Sequence, residues 1–562
     1  MHPIRMKRCP KCRRDYFDDS LAFCLDDGGR LLEGPAPDGL PTEIIPGYDS
    51  PTLTLNEPVT TAEIRSREKR IGPLLALTVG VILLAGFGWL AYSYYGARSS
   101  QIESIAVMPF VNLGGNPDIE YLSDGITESL INSLSTIPSL SVKARSSVFT
   151  YKGKDVTPRQ VGSDLTVQAV VTGRVIQRGD QLILNVSLVD TANGNNIWGA
   201  QYTRPMTDLV QLQNEIARDV SGELRSKLGG GGQTPKNYTE NAEAYQLYLR
   251  GRYHWNKRTP EDLKKSVEYF QRAIDKDPTY ALAYAAMAET YILIPGFGIE
   301  SQAEYYARAR AAATKALEID DSLAEAHNAL AAVLKGQDWK FSEAEAEWRK
   351  AIELNPNYAS AHQWYGEFLV SMGRHRDALA EMRRAQELDP LSLIINGILG
   401  ATLSQNGQHE EALVQLKKTL EMDPHFPRTH VYLAEVYQNM GRFEEAADEF
   451  AILFVMGGGG SQERAAQLAS AVKSAARSEG EKGYSRAMAE MLGSDLRNKR
   501  TPASVLAGYW GRAGEPDKAF AILEKAYQQR DDSIVMLKAS RMDPLKGDPR
   551  YKDLLRRVGL PE

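Results

Sequence analysis

Three cysteines near the amino terminus are spaced in a way that can hold a metal ion. Cys9 and Cys12 flank two residues, Cys24 follows after a short spacer, and Asp27 stands where a second Cys-x-x-Cys pair would end. A Cys-x-x-Cys turn presents two thiolates to one tetrahedral ion, and a carboxylate oxygen can complete the ligand set. We therefore predict a structural zinc site formed by Cys9, Cys12, Cys24 and Asp27, with His2 as an alternative fourth ligand.

The residues around these cysteines resemble a known small module. A Cys-Pro-x-Cys turn, a spacer that contains Tyr16, and Phe23-Cys24 ahead of Asp27-Gly28 are similar to the short zinc ribbons at the start of some bacterial signalling proteins. This resemblance implies a zinc-ribbon-like module over residues 1–33. The alternative is a disordered tail with incidental cysteines. Residues 34–70 are rich in Pro, Gly, Thr and Asp and lack an apolar period, which predicts a flexible cytoplasmic tether.

A long uncharged stretch follows this tether. Residues 71–95 are rich in Leu, Val, Ile, Ala and Gly, and these 25 residues would form a helix of about 37 Å at ~1.5 Å per residue. That length exceeds the ~30 Å hydrocarbon core of a bilayer. A buried core helix of this length would carry a polar stripe, and a signal peptide would begin nearer the amino terminus. We therefore predict a single transmembrane helix.

The charges on the two sides of this stretch differ, and the difference predicts its orientation. Arg65, Arg67, Lys69 and Arg70 precede the stretch, whereas Arg98 follows it. The excess of basic residues keeps the preceding segment in the cytoplasm. The three cysteines also precede the stretch, where thiols stay reduced. We expect an inner-membrane protein with a cytoplasmic amino terminus and periplasmic or otherwise extracytoplasmic carboxy-terminal domains.

Residues 102–228 have the pattern of an α/β domain. Short apolar segments predict strands at residues 104–110 and 139–144, and two longer segments at 169–176 and 181–189 flank a turn at Gly179-Asp180. Apolar residues at helical spacing predict helices at residues 121–134 and 207–227. Asp124-Gly125 is the strongest candidate for a polar site here, and we interpret it as a helix cap. Residues 229–240 predict a glycine-rich linker.

Four phrases of this domain resemble a known family. They are Ile105-Ala-Val-Met-Pro-Phe, Tyr121-Leu-Ser-Asp-Gly-Ile-Thr-Glu, Thr172-Gly-Arg-Val and Ile197-Trp198-Gly. Together they are similar to the TolB-like (FlgO-like) domain of bacterial envelope proteins. That domain commonly lies between a membrane helix and tetratricopeptide repeats, often behind a cytoplasmic kinase or adenylate cyclase. The resemblance implies a binding or assembly module without catalytic residues.

A 34-residue period governs the following part of the chain. Pro356, Pro390 and Pro424 are 34 residues apart, and this spacing is the length of a tetratricopeptide repeat. Small residues that would let paired helices approach recur in register at Gly366, Ala378, Ala385, Gly400, Ala412, Ala434 and Ala446. We predict tetratricopeptide repeats over residues 241–456 and divergent helical repeats over residues 457–562, after a glycine run.

The repeats also predict where a partner binds. A stacked array of helix pairs has a concave face that takes extended or helical peptides. We place Gln363, Asn396 and Gln405 on this face as exposed residues. His327, His362 and His430 recur at one repeat position, but helix spacings of ~8–10 Å prevent them from sharing one metal ion. We interpret them as replacements for an aromatic residue.

Composition and missing motifs narrow the function. The formal net charge of -6 argues against a nucleic-acid partner, and phosphate-binding loops, metalloprotease motifs, nucleophile elbows and kinase triplets are absent from the sequence. The predicted chain is multidomain: a zinc ribbon, one transmembrane helix, an α/β TolB-like domain and an all-α tetratricopeptide solenoid. We predict a non-enzymatic scaffold that binds a protein or peptide and no small-molecule substrate. The alternative is a receptor that signals through a separate kinase or cyclase.

Overall fold

The computed structural model describes residues 7–8, 15–16, 32–33, 102–115, 119–228, 238–297, 302–495 and 501–562. The chain divides into two compact units, residues 1–85 and residues 86–562. In the first unit, β1 (Lys7–Arg8) pairs antiparallel with both β2 (Asp15–Tyr16) and β3 (Leu32–Glu33). The predicted zinc ligands and residues 71–95 lie outside the described residues. None of the helices within the described ranges is long and apolar enough to cross a membrane.

The second unit begins with the α/β domain, and its predicted strands and helices are present. The elements are β4 (Ser104–Val107), β5 (Val111–Asn112), α1 (Glu120–Ser135), β6 (Ser141–Val142), α2 (Arg145–Phe149), α3 (Pro158–Leu165), β7 (Ala169–Arg178), β8 (Gln181–Asp190), β9 (Asn196–Pro205) and α4 (Leu209–Leu228). The sheet order is β6-β4-β7-β8-β9, and β5 also pairs with β7. Strands β4 and β6 run parallel to their neighbours, whereas β7, β8 and β9 form an antiparallel meander.

The antiparallel part of this sheet follows directly from the sequence. Side chains of β8 alternate between buried and partly exposed along the strand, as a half-buried strand requires. Gly179 turns β7 into β8 with a φ of +61°, a conformation that glycine adopts without steric cost. Asp124, by contrast, lies inside α1 and does not cap it, because the helix begins at Glu120. The cap interpretation was therefore wrong.

Helix pairs make up the rest of the chain, in agreement with the predicted repeats. The pairs are α5 (Ala242–Trp255) with α6 (Pro260–Lys276), α7 (Ala281–Leu293) with α8 (Gln302–Ile319), α9 (Ala324–Val333) with α10 (Phe341–Leu354), α11 (Ala359–Ser371) with α12 (His375–Leu388), α13 (Leu393–Gln405) with α14 (His409–Met422), and α15 (Pro427–Asn439) with α16 (Phe443–Met456). Gly373, Gly407 and Gly441 turn three successive pairs with positive φ, again at the 34-residue period.

The array continues beyond the predicted glycine break. Helix α17 (Gln462–Asp495) bends at Gly480, and α18 (Ala503–Arg512) pairs with α19 (Pro516–Gln528). Two 3₁₀ segments, Asp532–Lys538 and Ser540–Leu545, and a last helix α20 (Pro549–Val558) complete the described chain. The second unit is therefore a mostly helical tetratricopeptide solenoid with a small sheet domain.

Small residues close the helix pairs at the predicted positions. A Cβ atom on Gly366 would lie 2.9 Å from the Met382 sulfur, and one on Gly400 would lie 2.5 Å from Leu416 Cγ. Ala412 and Ala446 have no exposed surface. Larger side chains cannot fit there without displacing the facing helix. The repeat register predicted from the sequence is confirmed.

Candidate functional site

The first helices of the repeats form the inner face of the solenoid. Helix α9 packs on α7 and α11, and α13 packs on α11 and α15, so successive first helices lie against one another. Part of this face is covered by the chain itself. Gly508 and Gly511 of α18 leave room for the 3₁₀ segment Ser540–Leu545, since Cβ atoms there would lie 3.2 Å from Arg541 and 2.9 Å from Leu545.

A polar cleft remains open on the inner face, between this segment and helices α13 and α15. It encloses about 350 Å³, open solvent included. Its lining comprises Gln405 from α13, Glu435, Gln438 and Asn439 from α15, Val505, Gly508, Tyr509 and Arg512 from α18, and Arg541 from the 3₁₀ segment. We name this site the inner-face cleft.

Hydrogen bonds fix several side chains of the inner-face cleft. Asn439 donates from Nδ2 to Ser404 Oγ at 3.2 Å, and its Oδ1 accepts from Arg512 at 3.2 Å. Arg541 forms an ion pair with Glu435 at 2.8 Å, which ties the 3₁₀ segment to α15. The wall of the cleft is therefore preorganised, because its polar groups hold one another in place.

The chemistry of the inner-face cleft suits an extended chain segment. Carboxamides carry both donors and acceptors, as the peptide group does, so they can hydrogen-bond a peptide backbone in either sense. Gln405 and Asn439 are 34 residues apart, and so are Ser404 and Gln438. The same polar row therefore recurs on neighbouring first helices, at the spacing that a bound extended peptide would follow.

The three polar residues predicted for the concave face have different positions. Gln405 lines the inner-face cleft, as predicted. Asn396 has only 3 % of its surface exposed, and its Nδ2 donates to the carbonyl of Pro390 at 2.8 Å. Gln363 is buried as well. The prediction of exposed surface residues was wrong for Asn396 and Gln363, because polar type alone does not distinguish a solvated side chain from one bonded inside the fold.

No metal centre arises in the part of the chain that the structure describes. Groups of three or more His, Cys, Asp or Glu side chains that could hold an ion are absent from those residues. The three recurrent histidines are each occupied within their own repeat, His362 for example by Glu381 at 2.6 Å. They do not converge on one ion. The zinc ligand set Cys9, Cys12, Cys24 and Asp27 stays a prediction.

A buried charge cluster joins the α/β domain to the first repeat, and the sequence did not indicate it. Glu128 of α1 pairs with Arg252 of α5 at 2.5 Å and with Arg145 at 3.1 Å. Burial raises the pKa of Glu128, but the two guanidinium groups outweigh burial and hold the pKa below its usual value. Asp124 pairs with Lys152 at 2.5 Å. These ion pairs have a docking role, because they fix α1 against α5.

Comparison with protein families assigns two parts of the chain. The second domain of the HilA/YgeH-like transcriptional regulators matches residues 100–218. Tetratricopeptide repeat models match residues 347–380 and 403–453. The repeat prediction is confirmed. The matched description of the α/β domain differs from the TolB-like family, so that resemblance stays a prediction.

Two curated relatives share part of the sequence. "Putative adenylate cyclase 3" of Rhizobium meliloti (strain 1021) is 33% identical over 187 residues, which are 33% of this chain and 32% of that protein. The transcriptional regulator HilA of Salmonella typhimurium is 24% identical over 284 residues, 49% of each chain. The chain thus spans about a third of the first relative and about half of the second.

Solved structures with similar helical repeats align with part of the chain. YrrB, described as a TPR protein with an unusual peptide-binding site, is 24% identical with a TM-score of 0.26, covering 34% of this chain and 93% of its own. PilF of Pseudomonas aeruginosa is 22% identical with a TM-score of 0.30, covering 44% and 98%.

Proposed function

We propose that this chain is a membrane-anchored, non-enzymatic scaffold that binds an extended segment of a partner protein in the inner-face cleft. The observation that carries the proposal is the cleft itself, a row of carboxamide and guanidinium groups on neighbouring first helices that is held open by the carboxy-terminal segment. Binding repeats of this architecture use their inner face for peptides. The anchor at residues 71–95, the zinc module at residues 1–33 and an extracytoplasmic location of the repeats belong to the same proposal.

A second candidate is a regulatory receptor that acts through a separate kinase or cyclase. The similarity to a protein named as an adenylate cyclase favours it, since the shared region covers only a third of that relative. In this case the repeats of the present chain would carry the sensing or docking part, and the catalytic part would belong to a partner. Binding in the inner-face cleft would serve either role.

The test uses the full-length chain in detergent and a phage-displayed library of random 12-residue peptides. Selected peptides are resynthesised with a fluorophore, and their affinity is measured by anisotropy. We expect Gln405→Ala with Gln438→Ala to weaken binding about tenfold or more, because two backbone-directed hydrogen-bonding groups are lost. Lys418→Ala is the matched control, since Lys418 is exposed on the second helix α14. Equal affinity of all three proteins would place binding elsewhere, and failure to select any peptide would oppose the scaffold function.

A further inference from the structure

Three repeats share one arrangement of a histidine, a glutamate and a backbone carbonyl, which we name the His clasp. The ring Nδ1 lies against a glutamate of the second helix: His327 with Glu347 at 2.5 Å, His362 with Glu381 at 2.6 Å and His430 with Glu449 at 2.6 Å. The ring Nε2 lies against the carbonyl six residues earlier: Asp321 at 2.9 Å, Pro356 at 3.1 Å and Pro424 at 3.1 Å. Each His clasp thus joins the two helices of a pair to the preceding loop.

The partners of each ring determine how many protons the His clasp holds. A backbone carbonyl only accepts hydrogen bonds, and so does an ionised carboxylate. Both ring nitrogens must therefore carry a proton to make both bonds, or the carboxylate must carry one. In either case the closed clasp holds one proton more than a neutral imidazole with an ionised glutamate. The geometry itself requires a bound proton.

One repeat of the same series contains an uncharged version of the clasp. Asn396 stands 34 residues after His362 and 34 before His430, and its Nδ2 donates to the Pro390 carbonyl at 2.8 Å. Gln415 occupies the glutamate position and donates to Asn396 Oδ1 at 2.7 Å. The same connections are made here without a titratable group. The hydrogen-bonded link is thus common to four repeats, and proton binding is confined to three of them.

Burial and neighbouring charges favour retention of the proton. His362 and His430 are 6 % and 5 % exposed. Burial lowers the pKa of His327, and Lys350 of α10 opposes its charge as well, but the bonds to Glu347 and to the Asp321 carbonyl outweigh both and leave the pKa raised. Three residues after the clasp glutamate, the His362 clasp has Arg384, which pairs with Glu387 at 3.0 Å, and the His430 clasp has Ile452.

We propose that the three His clasps make the repeat array pH-sensitive: each takes up one proton as its helix pair closes and releases it to solvent as the pair loosens. A histidine whose native pKa lies above its unfolded value of about 6.5 stabilises the fold fully below that pH. The contribution is lost as the pH rises through the native pKa. Between these limits, each clasp makes the unfolding equilibrium constant rise by up to about tenfold per pH unit.

The experiment compares urea unfolding of the full chain between pH 6 and pH 9 in three forms. The first is the wild type. The second carries His362→Asn with Glu381→Gln, which copies the uncharged clasp. The third carries Asn396→His with Gln415→Glu, which adds a fourth His clasp. Relative to wild type, we expect the second form to lose up to about tenfold per pH unit of the rise in unfolding constant and the third to gain a similar amount. Parallel pH profiles in all three forms would overturn the proposal.

A direct measurement keeps the proposal testable if either pair of substitutions prevents folding. Nitrogen-15 chemical shifts of the histidine rings in the wild-type chain distinguish an imidazolium, which has two N–H groups, from a neutral ring, which has one. We expect a doubly protonated ring, or a neutral ring facing a protonated glutamate, at His327, His362 and His430 below pH 6.5. Neutral rings beside ionised glutamates at that pH, visible in the glutamate carbon-13 shifts, would contradict the bound proton.

Discussion

Two interfaces in the second unit differ in chemistry. Within a repeat, the two helices meet through apolar contacts, with Ala378 and Ala412 fully buried at equivalent positions. Between the α/β domain and the repeats, the contact is polar: Asp389 accepts hydrogen bonds from the hydroxyls of Ser146 and Ser147, the latter at 2.6 Å. Apolar packing recurs in every repeat because it depends only on size. The polar contact depends on one particular loop, so it selects one docking position among similar repeats.

The docking contact uses two consecutive loops between repeats. In the first, Asn357 donates from Nδ2 to the carbonyls of Ser135 and Leu140 at 2.9 and 2.8 Å. In the second, Lys143 donates to the Glu387 carbonyl at 2.6 Å, beside Asp389. Burial raises the pKa of Asp389 even though the serine hydroxyls and Lys143 lower it. The domain is therefore held by a buried network whose members depend on each other's hydrogen bonds.

The largest effect is expected from overpacking a helix pair. Ala412→Leu adds three carbon atoms at a position with no exposed surface, opposite the helix that carries Gly400. We expect a loss of about 3 kcal/mol in the free energy of unfolding, because the facing helix must shift. Urea unfolding of the full chain measures it, with Lys418→Ala on the exposed side of the same helix as the control. An unchanged unfolding midpoint would contradict the assigned helix-pair register.

A smaller and more local effect is expected at the docking contact. Asp389→Ala removes the acceptor of two serine hydroxyls, and we expect a cost of about 2 kcal/mol, confined to the α/β domain and its contact. Hydrogen exchange should accelerate at residues 141–149 while α15 and α16 stay protected. Asp423 is the matched control, because it occupies the same repeat position and accepts from the backbone of His425. Equal effects of Asp389→Ala and Asp423→Ala would mean that the docking network contributes nothing specific.

The two interfaces also differ in how far the sequence predicts them. Gly366 and Gly400 could be assigned because a 34-residue period is a local, repeated signal. Asp389 could not, since Asp423 has the same type and register, and only the partner residues in a distant domain distinguish them. For the inner-face cleft, Gln405 was assigned correctly, whereas Arg541 comes from a segment outside the repeat pattern. Long-range contacts between unlike elements leave no periodic trace in one sequence.

The smallest expected effect concerns a residue whose burial the sequence did not reveal. Asn396 replaces a clasp histidine, and Gln415 replaces the glutamate, so the shared spacing was a signal that linked them to His362. Asn396→Ala leaves the Pro390 carbonyl without its donor, and we expect a loss of about 1 kcal/mol in the free energy of unfolding. Glu421→Ala on the exposed surface of α14 should change it by less than about 0.5 kcal/mol. Unfolding in urea at pH 7 measures both, and the cost at Asn396 should not vary between pH 6 and pH 9, because neither member of this clasp titrates. A cost equal to that of Glu421→Ala would mean that the uncharged clasp does not hold its helix pair, and that apolar packing alone closes the repeats.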